Sequence, residues 1–398
     1  MNLRRVGPGV VAGAADDDPS AIVTFSIAGA DLGNALLWTS WITWPLMAAV
    51  QMMCARVGME TGRGLIGALG AKLPRPVLFA AALALFLANT VNIGADLSGM
   101  AEAAQLVTGL SSWLFILLFG AFIAFATVRL PYRKLSTVLK WLALCLFAYV
   151  ASAVRLLPDW SRVLRDTFTV SMPRGGWGVI IAIIGATFSP YFFIWQASQE
   201  VEEKRDIRGS GAVLAGARDE DLRFRRTDVG VGTFFSRMVM FFVILTTSLT
   251  LHSRGVHVGS AADAVEALEP IAGRFAAGLY TVGLLGVGFL VIPVLSASAA
   301  YAFAELFGWR HGLDQHIRRA RAFYTVLILS TAGGIAMQFA HITPTRALFF
   351  AATINGVLAP FLLTAVLFAA AGMSPRIERS LVAVTIAAML FVDVLALR

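Results

Sequence analysis

The chain has 398 residues, of which 58% are hydrophobic and only 14% charged, and its mean hydropathy is +0.76. An ordinary soluble domain carries about a quarter charged residues, so this composition excludes a water-soluble enzyme, a secreted disulfide scaffold and a disordered tail. The basic balance (32 Lys and Arg against 24 Asp and Glu) would suit a nucleic-acid binder. In so apolar a chain it reads instead as basic residues gathered in cytoplasmic loops. The expectation is an all-α polytopic membrane protein with a lipid bilayer, and no nucleic acid, as its surroundings.

A membrane helix needs about 20 apolar residues. Windows of that length predict eleven spans, near 8–33, 36–57, 77–108, 112–128, 138–157, 176–199, 231–252, 273–303, 322–341, 345–371 and 379–397. Arg4 and Arg5 lead into the first span without a small-residue cleavage site, so no cleavable signal is expected. With the N-terminus in the cytoplasm, the inside loops hold 23 Lys and Arg and the outside loops 8. That asymmetry predicts a multi-pass protein of the cell membrane with a cytoplasmic N-terminus. The long polar stretch from Glu200 to Asp228 reads as a solvated cytoplasmic connector. Cys54 and Cys145 lie in apolar runs without a CxxC partner and read as core residues. The five histidines fall at span ends or in loops and read as surface groups.

Two spans contain what a plain membrane helix avoids. The first carries Asp16-Asp17-Asp18-Pro19, and charge at membrane depth costs a few kcal/mol per residue even on lenient scales. Proline removes a backbone donor and clashes with the preceding turn, so the helix should open at Asp18-Pro19. A carboxylate beside freed carbonyls is an oxygen-rich cation site. Asp16 and Asp17 read as hydrated groups near the cytoplasmic interface. The sixth span carries Gly185-Ala186-Thr187-Phe188-Ser189-Pro190-Tyr191 and should open in the same way. Paired interruptions in two halves of a chain point to a secondary transporter with its site at the midplane. Residues 1–175 and 176–371 would form two five-helix repeats of opposite topology, and 372–398 an appended helix.

At these positions the sequence resembles the Nramp family of proton-coupled divalent metal transporters. Gly7-Pro8-Gly9 followed by Asp18-Pro19 is similar to that family's GPG…DPGN stretch. Ala186 to Tyr191 occupies the place of its A-x-x-M-P-H motif, and Asn92-Ile93-Gly94-Ala95-Asp96-Leu97 resembles the start of its acidic helix-three segment. The resemblance implies a LeuT-like 5+5 inverted repeat with helices one and six broken. It also implies a metal set of Asp18, the backbone carbonyl of Ala186, Ser189 in place of a methionine, Ala21 in place of an asparagine, and Asn355 in place of a glutamine. Pro19 and Pro190 mark the breaks. Asp17, Asp96 and Tyr191 (where the family has a histidine) fall to the proton or ion pathway.

Without the thioether, the remaining carboxylate, carbonyl and hydroxyl oxygens favour hard ions over late transition metals. Mn²⁺ and Mg²⁺ are therefore the favoured substrates, Fe²⁺ a further one, as in Nramp-related magnesium transporters that lack tight proton coupling. Tyrosine is a poor proton relay at neutral pH, whereas Asp96 could carry protons. The metal is cargo, and no cofactor is implied. No HExxH, GxSxG or paired-acid constellation suggests an enzyme. The competing reading is a carrier of a small organic solute, such as an amino acid, on the same architecture.

Overall fold

The computed structural model describes residues 13, 16–129, 144–173, 176–208, 216–313, 315–340 and 342–396. Gly7-Pro8-Gly9, most of the first half of span one and the start of span five lie outside these residues. The principal helices are α1 (Pro19–Leu32), α2 (Trp38–Thr61), α3 (Arg75–Thr108), α4 (Ser112–Arg129), α5 (Phe147–Arg155) and α6 (Trp160–Phe168). They continue with α7 (Trp177–Thr187), α8 (Pro190–Arg208), α9 (Asp219–Thr250), α10 (Ala276–Phe307), α11 (Arg321–Ala336), α12 (Pro344–Ala369) and α13 (Arg376–Ala396). No strand occurs among the described residues. Helices satisfy their own backbone groups, which lipid demands. Seven helical segments there are long and apolar enough to cross a bilayer, and α1 meets α2 at a 104° corner as a further bent pair.

Both expected interruptions are present. Helical Asp16 is separated from α1 by Asp17 and by Asp18, which is extended at φ −65°, ψ 169°. The sixth span breaks between Thr187 and Pro190, where Phe188 turns out of the helix at φ −116°, ψ 48°.

The packing pattern carries the internal symmetry. α1 packs on α9, and five spans later its counterpart α8 packs on α2. The α3–α4 contact is repeated by α10–α11, while α3–α10 and α2–α9 map onto themselves. An odd number of helices per repeat inverts the second half, so these exchanged contacts are those of an inverted repeat. α3 and α10 form the centre, and Asn89, Asn92 and Asp96 fall on one stripe of α3 at helical spacing. Asn89 Nδ2 donates to Leu295 O and Ser298 Oγ of α10, both at 2.8 Å. The outer faces expose large apolar side chains such as Leu118, Phe125, Phe361 and Phe391, the surface a bilayer covers.

The stretch from Glu200 to Asp228 departs in part from the solvated connector read in the sequence: Arg218, Asp219, Glu220, Arg223 and Arg226 are exposed, whereas Glu200, Lys204, Arg225 and Asp228 are buried. Glu200–Arg208 continues α8 and Asp219–Asp228 opens α9. Arg225 is buried between them, paired with Glu200 at 2.8 Å, Asp228 at 2.9 Å and Glu203. Lys204 Nζ donates to the carbonyls of Met59 and, at 2.7 Å, of Gly216. Mixed charge within one segment reads as solvation. Here the opposite signs lie on two helices that meet, so they satisfy one another inside the protein.

Candidate metal site

The site is built around the first break. Asp18 is 1% exposed and caps α1: its Oδ1 accepts from Ala21 N at 2.7 Å and from Ser20 Oγ at 2.6 Å. Aspartate is a preferred N-cap because its oxygen satisfies an orphan donor of the first turn, and Pro19 fits the first helical position for want of an N–H. These two short bonds fix the carboxylate. Its other oxygen, Oδ2, receives only long contacts, from Asn92 Nδ2 at 3.3 Å and Tyr191 OH at 3.4 Å. Oδ2 is thus the oxygen with capacity to spare.

Asn92 links the site to α12, because Asn355 Nδ2 donates to Asn92 Oδ1 at 3.4 Å. Breaks one and six, α3 and α12 therefore converge through Asp18, Tyr191, Asn92 and Asn355, all buried. Asn92 appears in the motif quoted from the sequence, but the reading fixed on Asp96. The missed signal is spacing: Asn92 lies four residues before Asp96 and faces the same way. Asp96 itself is wholly buried, its carboxylate facing the Ser20 amide and the Asp18 carboxylate.

The second break contributes differently. Pro190 cannot donate to the carbonyl four residues back, so Ala186 C=O lacks the intrahelical partner it would otherwise have. Ser189 Oγ donates to Gly185 O at 2.7 Å, which leaves its lone pairs available. Neither Ala186 nor Ser189 hydrogen-bonds Asp18. The Ala21 amide donates to Asp18, and its methyl is fully buried beside the break. α7 can approach α12 this closely because Gly185 and Gly356 face each other's helices: a Cβ on Gly185 would stand 1.8 Å from Ala352 O.

Asp16 and Asp17 are buried rather than hydrated. Asp16 is ion-paired with Arg237 of α9, and Ser236 Oγ lies 2.6 Å from Asp16 Oδ2 and 3.1 Å from Asp17 Oδ1. Arg237 is not among the site residues expected from the sequence. A lone arginine inside an apolar span is itself the signal, because such a charge needs an acid.

Among the described residues no three His, Cys, Asp or Glu side chains converge as a metal cluster. The donors on offer are one capped carboxylate, amide oxygens, a hydroxyl and a freed carbonyl. That set suits a hard cation which keeps part of its water. Two cavities of about 500 and 600 Å³ lie at opposite ends of α2, beside Gly62–Gly70 and Leu32–Ala35. Asp18, Asp96, Tyr191 and Asn355 line neither.

Comparison with known proteins agrees with this architecture. The sequence model of the Nramp family, described as natural resistance-associated macrophage protein-like, matches residues 9–397. The divalent metal cation transporter MntH of Caldanaerobacter subterraneus is 26% identical over 299 residues, covering 72% of this chain and 68% of that protein. The Yersinia pestis MntH is 24% identical over 347 residues, covering 85% and 81%. Among solved structures, a manganese transporter of Eremococcus coleocola superposes with a TM-score of 0.72 at 17% identity, over 98% of this chain and 85% of that one. Mhp1, a nucleobase-cation-symport-1 family transporter, superposes with a TM-score of 0.53 at 16% identity, over 91% and 77%. With its two broken spans, its inverted repeat and a family match that runs nearly from end to end, the chain is a membrane transporter rather than an enzyme and belongs to the Nramp family.

Proposed function

We propose that this protein is a secondary transporter that moves divalent metal cations by alternating access, with Mn²⁺ and Mg²⁺ preferred and Fe²⁺ also accepted. The observation that carries this reading is a buried carboxylate at a helix break: Asp18 Oδ1 is held by α1 and Oδ2 is left underused. A dication there draws on Oδ2, the Ala186 carbonyl, the Ser189 hydroxyl and the amide oxygens of Asn92 and Asn355. The relatives named as divalent metal cation transporters support the substrate class. The absence of a thioether at Ser189 supports hard ions within it.

The conformation fits an occluded stage. The site residues are buried while a cavity opens at each end of α2, so rocking of one half against the other would connect the site to either side in turn. In this reading the halves are 1–175 and 176–371, with 372–398 appended, and the N-terminus faces the cytoplasm. Tyr191 supplies a hydroxyl where a relay would place an imidazole, so metal movement needs no obligatory proton partner, with Asp17 and Asp96 lying along the ion path.

A carrier of organic solutes would need open amides at the first break to hold a substrate carboxylate. Here the Ala21 amide is already bound to Asp18, and Asp18 would repel a second carboxylate.

The test is uptake into proteoliposomes, compared across Mg²⁺, Mn²⁺, Fe²⁺ and Cd²⁺. Wild-type protein should show saturable Mn²⁺ or Mg²⁺ entry without acidification of the lumen, and Asp18→Ala should lose it. Undiminished metal entry in the variant, or uptake of amino acids instead, would overturn the assignment.

A further inference from the structure

Arg237 is the most unusual charge in the molecule. It is 1% exposed on a stretch of α9 flanked by Met238, Val239, Met240 and Phe241. Removing a guanidinium from water costs several kcal/mol unless its donors find partners. Its Nη1 donates to Thr187 Oγ1 at 2.6 Å and lies 3.4 Å from Met240 Sδ. Its Nη2 donates to Asp16 Oδ2 and, at 2.7 Å, to Ser236 Oγ. Thr187 is the last residue of α7 and Asp16 the last helical residue before the first break. One guanidinium therefore touches both broken spans.

The atoms around it form a cradle of hard oxygens: a carboxylate and two hydroxyls, with Asp17 reached through Ser236. Asp16 Oδ1 is buried and has no hydrogen-bond partner. A carboxylate and hydroxyls facing one another inside a protein are a setting for a bare cation, and here a side-chain cation fills it.

We propose that Arg237 is a tethered cation occupying a second cation position beside the Asp18 site, so that the protein binds one diffusible dication and needs no second ion to hold its two breaks together. The inference rests on the reading of Asp18 as the metal site, and it makes Arg237 a positioning residue rather than a ligand. Asp16, Asp17, Asp18 and Asp96 are all buried in this region. Arg237 is the group that offsets part of their charge permanently; emptied of it, the cradle would take a mobile ion instead.

The test is Mn²⁺ stoichiometry by calorimetry on purified full-length protein in a buffer whose monovalent cation is choline. Wild type should bind one Mn²⁺, and Arg237→Gln should bind two, with Na⁺ competing for the added equivalent. Arg237→Lys, which restores a tethered cation, and the double variant Asp16→Asn/Arg237→Gln, which dismantles the cradle, should each bind one. Adding Asp18→Asn to Arg237→Gln should leave only the new equivalent, whereas Asp18→Asn alone should bind none. A folded Arg237→Gln protein with a single, Na⁺-insensitive Mn²⁺ would overturn the proposal. Retained binding in Asp18→Asn alone would instead overturn the assignment of Asp18. If Arg237→Gln folds poorly, Mn²⁺ should raise its melting temperature more than that of the Asp16→Asn/Arg237→Gln protein; equal shifts would count against a vacated cradle.

Discussion

The two helix breaks are related by the internal repeat, yet they do opposite chemical work. At the first, an acid stands in the gap and caps the helix that follows, so charge and local structure come from one side chain, Asp18. At the second, no charge is present. Phe188 and Ser189 carry the turn, and the contribution is subtraction: Pro190 withholds the N–H that the Ala186 carbonyl would otherwise accept from. The two breaks meet through Tyr191, whose hydroxyl lies 3.4 Å from Asp18 Oδ2.

The largest expected effect comes from separating charge from capping at the first break. Asparagine caps helices about as well as aspartate, so Asp18→Asn should keep α1 in place while losing the centre's charge. Metal uptake in proteoliposomes should fall by about a hundredfold or more, since an ion taken from water needs a compensating charge. The circular dichroism spectrum should stay that of the wild type. A loss of helix content alongside the loss of uptake would mean that the acid's role is structural.

The second break can be closed by restoring a donor. Pro190→Ala returns an N–H that can reach Ala186 C=O and favours a continuous helix. Withdrawing one oxygen ligand should weaken Mn²⁺ binding by roughly tenfold, the worth of about 1.4 kcal/mol. Calorimetry reads it directly. Affinity equal to wild type would show that the carbonyl faces away from the ion and that the acid break acts alone.

How much of this could be read in advance follows the same division. Both breaks were legible, because Asp-Pro and Ser-Pro inside apolar runs leave few other readings, and the family resemblance fixed their order. The partners of the breaks were not. Asn92, Arg237 and Ser236 lie tens to hundreds of positions from Asp16 and Asp18, and only helix packing brings them near. Asp16 and Asp17 read as hydrated because local sequence shows three adjacent acids and no cation; the cation arrives from α9. The Glu200–Asp228 stretch misled for the related reason that charge pattern reports composition, whereas burial depends on which helices meet. In each case the periodicity of one segment was informative and its pairing with another was invisible.

A smaller effect tests selectivity at the neutral break. Ser189→Met exchanges a hard oxygen for a polarisable sulfur beside the freed carbonyl. Competition of Cd²⁺ against Mn²⁺ uptake should strengthen by several-fold, about 1 kcal/mol, while Mg²⁺ entry declines. An unaltered preference would remove Ser189 from the ligand set and leave the second break contributing backbone alone.

The smallest effect lies at the far end of α8, away from both breaks, and asks whether acid sensitivity belongs to the site or to the scaffold. His311 sits in the connection after α10, half-buried, its Nδ1 2.8 Å from Trp309 O and its ring edge-on to Tyr301 at 5.8 Å. Burial, reinforced by nearby Arg205, holds its imidazole below the usual histidine range despite the Trp309 carbonyl. The folded protein therefore binds this proton less readily than the unfolded chain. The stability it contributes is complete above the unfolded value of about 6.5 and is lost as pH falls from there toward the folded value. Melting temperature should decline between pH 7.5 and 5.5, and His311→Gln should flatten that slope, by less than about one degree in a protein of this size. Mn²⁺ affinity of the same variant should be insensitive to the substitution at either pH. A parallel change in affinity would mean that the loop after α10 communicates with the breaks through α8, and that the separation between charged centre and scaffold drawn here is too sharp.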